Sequence, residues 1–155
     1  MQNGNRLGAF FRGTQDIIPE NEVTAERLVE VFQQAFLTAT ITEFGNVEVT
    51  LEDGLMVLVR PLEFVSVLKI YTVFGLRNDT EEIDKLRLLN SLNAGLIATT
   101  HSMPEPDSLV VGYFLPYSGG LLPQQLVKAL RLFVKCAVSG IHKHDSAGLV
   151  SYCGW

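Results

Sequence analysis

The chain has 155 residues, 47% of them apolar and 19% charged, which suits one domain burying roughly 68–70% of its unfolded surface and excludes a disordered or low-complexity polymer. A net charge of −5 supplies no concentrated basic surface for phosphates, so nucleic acid is excluded as the expected partner. The mean hydropathy of +0.22 leaves apolar surface in need of a partner, yet no stretch approaches the roughly 20 apolar residues of a membrane span.

Residues 1–20 are rich in Gly and Asn, carry the apolar pairs Phe10-Phe11 and Ile17-Ile18, and show no sustained period. They read as a loose arm. They lack the apolar core of about 7–15 residues and the cleavage site of a secretory signal, so the expected address is cytoplasmic. Thr24 offers a side-chain oxygen to the first amides of a helix, and Leu28, Val31, Phe32, Ala35 and Phe36 recur behind it at helical spacing. The spacing predicts a helix over 24–39.

From Asn46 the period becomes two: Val47, Val49 and Leu51 alternate with Glu48, Thr50 and Glu52, as a half-buried strand requires. Asp53-Gly54 suits a two-residue type I′ hairpin turn into a second strand, Leu55 to Val59, which Pro61 ends. The run Phe64 to Phe74, FVSVLKIYTVF, is apolar on both alternating faces and reads as a strand covered on two sides.

Asn78, Asp79 and Thr80 supply cap chemistry for a second helix over 80–97, with Ile83, Leu86, Leu89, Leu92, Leu96 and Ile97 as its apolar face. Asn93 falls within that arc and Asn90 borders it. Both are expected to satisfy backbone groups of a strand end or loop. Two short strands, 98–103 and 108–115, flank the turn Pro104-Glu105-Pro106-Asp107. A final helix over 121–140 follows Ser118-Gly119-Gly120 and stops at Gly140.

The expected fold is α+β: an antiparallel sheet of about five strands, helices on one face, in the order α-β-β-β-α-β-β-α. The domain occupies 21–140 and the tail 141–155. The last helix is apolar around most of its circumference beside the stripe Lys128, Arg131, Lys135, so a homodimer interface is expected at Leu130, Phe133 and Val134.

No phosphate-binding glycine loop, GxGxxG, GxSxG or HExxH motif is present. Cys136 and Cys153 form neither a disulfide framework nor a CxxC motif. His142-Lys143-His144-Asp145 is the one local group with metal-ligand character, and it reads as a solvated helix end. No catalytic residue, cofactor or metal is expected, and the chain reads as a non-enzyme.

The segment Leu88-Leu89-Asn90-Ser91-Leu92-Asn93, the two strands after it, and the entry Ser118-Gly119-Gly120-Leu121-Leu122-Pro123-Gln124-Gln125-Leu126 resemble the YbjN family of bacterial sensory transduction regulators. The likeness runs from about residue 24 to 140. It implies a fold like that of type III secretion chaperones, which are small, acidic, dimeric proteins that hold a partner polypeptide extended on their surface. Phe114-Leu115-Pro116-Tyr117 stands where that family leads one to expect an acidic residue. The implied function is a dimeric protein-binding module with a chaperone-like or regulatory role; the alternative is a dedicated chaperone for one exported effector.

Pro104 and Pro106 make strand 98–103 a poor template for edge pairing, so grooves are the expected route to a protein or peptide partner. Phe32 and Phe36, one turn apart on the first helix, are the expected groove wall. The arm, with Phe10 and Phe11, is the expected cover.

Overall fold

The computed structural model describes residues 16–96 and 98–151. Helix α1 (Ala25–Gln34) starts where its cap requires, with Arg27 N donating to Thr24 Oγ1 at 3.3 Å. It ends earlier than its periodicity, because Phe36 adopts a left-handed conformation (φ 61°) and Leu37 N turns back to Phe32 O at 2.9 Å. The chain then runs at once into β1 (Thr38–Ile41), β2 (Val47–Thr50), β3 (Met56–Leu62) and β4 (Val67–Leu76).

The first two hairpins of this meander use three-residue loops. Thr42 N donates to Asn46 O and Leu51 N to Leu55 O, with Gly45 (φ 74°) and Gly54 (φ 83°) alone of their loops at positive φ. Asp53 is not in that region, so the two-residue type I′ turn expected there is replaced by a longer loop closed by a left-handed glycine. Strand β3 also continues through Pro61, which pairs with Leu68.

Helix α2 (Glu82–Gly95) leads to β5 (Thr100–Glu105) and β6 (Ser108–Pro116), then to helix α3 (Pro123–His144) and β7 (Val150–Ser151). The sheet has seven strands, antiparallel throughout, in the order β1-β2-β3-β4-β6-β5, with β7 paired to the end of β4. Two of these, β1 and β7, exceed the expected five.

The sheet's inner face holds Val47, Val49, Val57, Val59, Leu68, Ile70, Phe74, Leu109 and Val111, all buried in one cluster with Leu28, Phe32, Leu92, Leu126, Leu130, Phe133 and Ala137 of the helices. The helices therefore cover one face. On α2 the buried residues are Lys85, Leu88 and Leu92, whereas Ile83 and Leu86 are 50% and 42% exposed. The apolar face read from sequence is rotated because the Lys85 stem lies over the core while Nζ donates to Pro106 O at 2.7 Å.

Ordered structure continues past residues 21–140 at both ends. Helix α3 passes Gly140 and ends at His144, after which the Asp145 carboxylate accepts from Leu149 N and Val150 N, each at 2.8 Å, and orders the turn into β7. Ile18, expected in the loose arm, is buried and bridged to Leu121 by two backbone hydrogen bonds of 2.9 and 2.8 Å. Residues 1–15, with Phe10 and Phe11, lie outside the described residues. Glu20 accepts from Gly119 N at 2.7 Å and from the Ser66 hydroxyl, and these bonds, the first larger, hold its carboxyl below the usual range.

The Gly-Gly entry to α3 has a steric reason. Gly120 sits at φ 126°, and a Cβ there would stand 2.4 Å from Ile17 Cγ2 and 2.9 Å from Ile18 O, whereas Gly119 (φ 82°) has open space around it. Gly120→Val is expected to cost about 2–5 kcal/mol through backbone strain plus displacement of the bridged segment. Gly119→Ala should cost only about 1–2 kcal/mol, the left-handed penalty. Urea denaturation of the two variants checks the order, and equal losses would contradict it.

Candidate protein-interaction surface

The alternation that buries the inner face places Met56, Leu58, Leu62, Val67, Tyr71, Val73 and Val110 on the opposite face, each half-buried, with Phe114 46% exposed. The register aligns them in rows: Leu58 beside Tyr71, Val73 beside Val110, and Arg60 beside Lys69 beside Phe114. Among the described residues no helix packs on this face. The run expected to be covered on two sides is covered on one by the described residues.

Two cations stand in this apolar field. Arg60 and Lys69 are directly opposite each other, and among the described residues neither forms an ion pair with a carboxylate. Like charges in such a pair destabilise a sheet unless something compensates them. The Lys69 ammonium lies 4.8 Å from the Tyr71 ring centroid, a cation–π contact. Burial raises the Tyr71 phenol above its ordinary value, with Arg60 opposing the rise.

Each open edge of the sheet is guarded by a helix amide. On β1, Gln33 Nε2 donates to Ala39 O at 3.2 Å; on β5, Asn93 Nδ2 donates to His101 O at 3.0 Å while His101 N donates to Asn93 Oδ1 at 2.9 Å. Unpaired edge groups are a template for another strand, and these amides occupy some of them. Asn93 therefore does satisfy a strand backbone, although from an exposed position and not from within the core.

The site residues read from sequence scatter. Phe32 is fully buried, and Leu130 and Phe133 are 0% and 2% exposed, because all three face the sheet; this removes them from a partner-facing or dimer surface. Val134 is half-buried, and Phe36 is 75% exposed at the α1–β1 turn, while Phe44, 78% exposed, lies in the loop at the opposite end of β1. A shallow cleft of about 310 Å³ lies between Leu37, Leu51, Glu52, Asp53 and Arg131. His142 is exposed on helix α3, while His144 contacts Ser91, so the two do not share a side as an extended segment would place them. Among the described residues no three His, Cys, Asp or Glu side chains converge as metal ligands.

Arg60, Lys69 and Tyr71 are not distinguished by any motif in the sequence, and Phe114 stands out there only as a departure from the family pattern. The signal for Lys69 and Tyr71 is the two-faced apolarity of FVSVLKIYTVF, which does not say which face a helix takes.

Residues 24–139 match the YbjN family, described as "Putative bacterial sensory transduction regulator". The chain belongs to the YbjN family. YbjN of E. coli has a similar structure, with a TM-score of 0.66 at 12% identity, covering 81% of this chain and 94% of that one. The type III secretion chaperone SycH of Yersinia pestis, solved in complex with a stable fragment of YscM2, is similar at a TM-score of 0.52 and 18% identity, covering 75% and 98%. An uncharacterised protein of Methanothermobacter thermautotrophicus gives 0.56 at 10%, covering 79% and 96%. No curated protein sequence matches the chain. This YbjN domain thus has a chaperone-like α+β fold, and among its described residues no helix is long and apolar enough to cross a membrane.

Proposed function

We propose that this YbjN-family chain is a homodimeric, non-enzymatic, cytoplasmic protein-binding module with a chaperone-like or regulatory role, and that its outer sheet face receives the partner. The observation that carries the reading is the row of half-buried apolar residues on that face, Leu58, Tyr71, Val73 and Val110 with Phe114, around the facing cations Arg60 and Lys69, which have no carboxylate partner among the described residues. Such a surface fits a polypeptide segment that brings apolar side chains and carboxylates together. Family membership and the likeness to a chaperone solved with a bound protein fragment support it. That complex also favours a second reading, a chaperone dedicated to one exported effector, for which a neighbouring gene for a secreted protein is the discriminating sign.

The dimer is assigned to α2, whose Ile83 and Leu86 are 50% and 42% exposed on one side of a helix, because an isologous contact would bury both copies of that face together. Light scattering at micromolar concentration should return a dimer mass for the natural chain and a monomer mass for Ile83→Glu with Leu86→Glu. A monomer mass for the natural chain would sink the dimer.

A further inference from the structure

Two imidazoles grip the last turn of α2. From the sheet side comes His101 of edge strand β5, 6% exposed, its main chain paired in both directions with Asn93. The ring Nδ1 lies 3.1 Å from the same Asn93 Oδ1, and an amide oxygen only accepts, so Nδ1 carries the proton and Nε2 is bare. Nε2 is buried and has no hydrogen-bond partner among the described residues. From the other side comes His144, the last residue of α3. Its Nδ1 is 2.8 Å from Ser91 Oγ, and its ring lies against Gly95, where a Cβ would stand 2.5 Å from Cε1.

We propose that these two histidines make a proton-operated clamp on α2. While the His101 ring is neutral, Asn93 stays on β5 and the end of α3 stays on α2. As pH falls through the histidine range, the ring takes up a proton by leaving its buried seat, and the last turn of α2 comes free of both neighbours. The N–H and C=O of His101 then face outward from an edge strand that has no strand beyond it among the described residues.

The chemistry runs one way. A proton on Nε2 would bury a positive N–H with no acceptor, which the interior disfavours. Burial first, and the neighbouring His144 second, hold His101 below its ordinary range. The other elements offer no relief. Residues 91–95 of α2 carry no ionisable side chain, and β6 sets Val111 opposite His101 with Tyr113 two residues along. On α3, His142 and Lys143 are exposed and the Asp145 carboxylate is committed to Leu149 and Val150; Lys85 is tied to Pro106 O. The partial negative charge at the C-terminus of α2 favours an imidazolium, but it supplies no acceptor at Nε2.

The sign follows from linkage: the folded ring resists the proton that the open ring accepts. The stabilisation is present above the ordinary value of about 6.5 and is lost as pH falls below it.

The test is amide hydrogen exchange by NMR on the full chain at pH 7.5 and 5.5, corrected for intrinsic rates. Protection of the His101 amide, bonded to Asn93, and of the Asp145 amide, bonded to Ile141 O, should fall by up to about tenfold at the lower pH. The Ile70 amide in β4 should hold steady, and His101→Gln should flatten the profile. A glutamine that fails to seat would lower protection at both pH values, so the ring nitrogens of the unmodified chain give an independent readout. His101 should show Nδ1–H with Nε2 bare and stay neutral at a pH where free histidine, added to the same sample as a reference, is already half charged. Titration of His101 together with the free histidine reference, or equal His101 amide protection at both pH values, would overturn the clamp.

Discussion

Replacing Phe133 with alanine should cost about 3–5 kcal/mol of unfolding free energy, the range for removing a large aromatic side chain from a packed interior. Phe133 is 2% exposed and lies in the same cluster as Leu68, Ile70 and Phe32, so truncation leaves a cavity between α3 and the sheet. Leu132, the preceding residue, is 53% exposed, and Leu132→Ala should stay within about 0.5 kcal/mol. Adjacent positions of one helix thus differ severalfold in cost. Urea denaturation at two protein concentrations measures both variants. A near-neutral Phe133→Ala that instead dissociated a dimer would return α3 to the interface and contradict the core described here.

Reversing the chemistry of the outer sheet face should abolish partner binding with little loss of stability. Lys69→Glu with Phe114→Glu puts two carboxylates into the row that now reads Arg60, Lys69, Phe114. Truncating a central aromatic anchor costs about 2 kcal/mol or more, and like charges placed against an acidic partner add to that. The affinity should fall by at least about a hundredfold, since each 1.4 kcal/mol is tenfold. Stability should change by no more than about 1 kcal/mol, because Phe114 is 46% exposed already and Lys69→Glu sets a carboxylate opposite Arg60 in place of a like charge. Isothermal titration against a captured partner, beside thermal unfolding, separates the two effects. A variant that binds as before moves the site elsewhere.

Much of the fold was legible in short-range chemistry. Thr24 is the cap of α1, the period-two run at Val47 is β2, and Gly119-Gly120 turns the chain into α3, because each of these rests on local geometry that a residue type dictates. Strand β1 was hidden because α1 stops at Phe36, a non-glycine residue in the left-handed region that gives no stop signal. The face of α2 was misjudged because a lysine, Lys85, takes a core position that periodicity reserves for apolar residues. The site was only half legible. The run 64–74 announces two apolar faces, but which of them the helices cover is settled by tertiary packing, and the same packing carried Phe32, Leu130 and Phe133 inward.

A photoreactive phenylalanine analogue at position 114, with position 132 on α3 as the control, and irradiation in the native cell would show whether the outer sheet face receives a protein. Position 114 should give a discrete adduct with a second protein, lost when Lys69→Glu is added, and position 132 should give no such adduct. No adduct from position 114, or the same adducts from both positions, would contradict that role of the face.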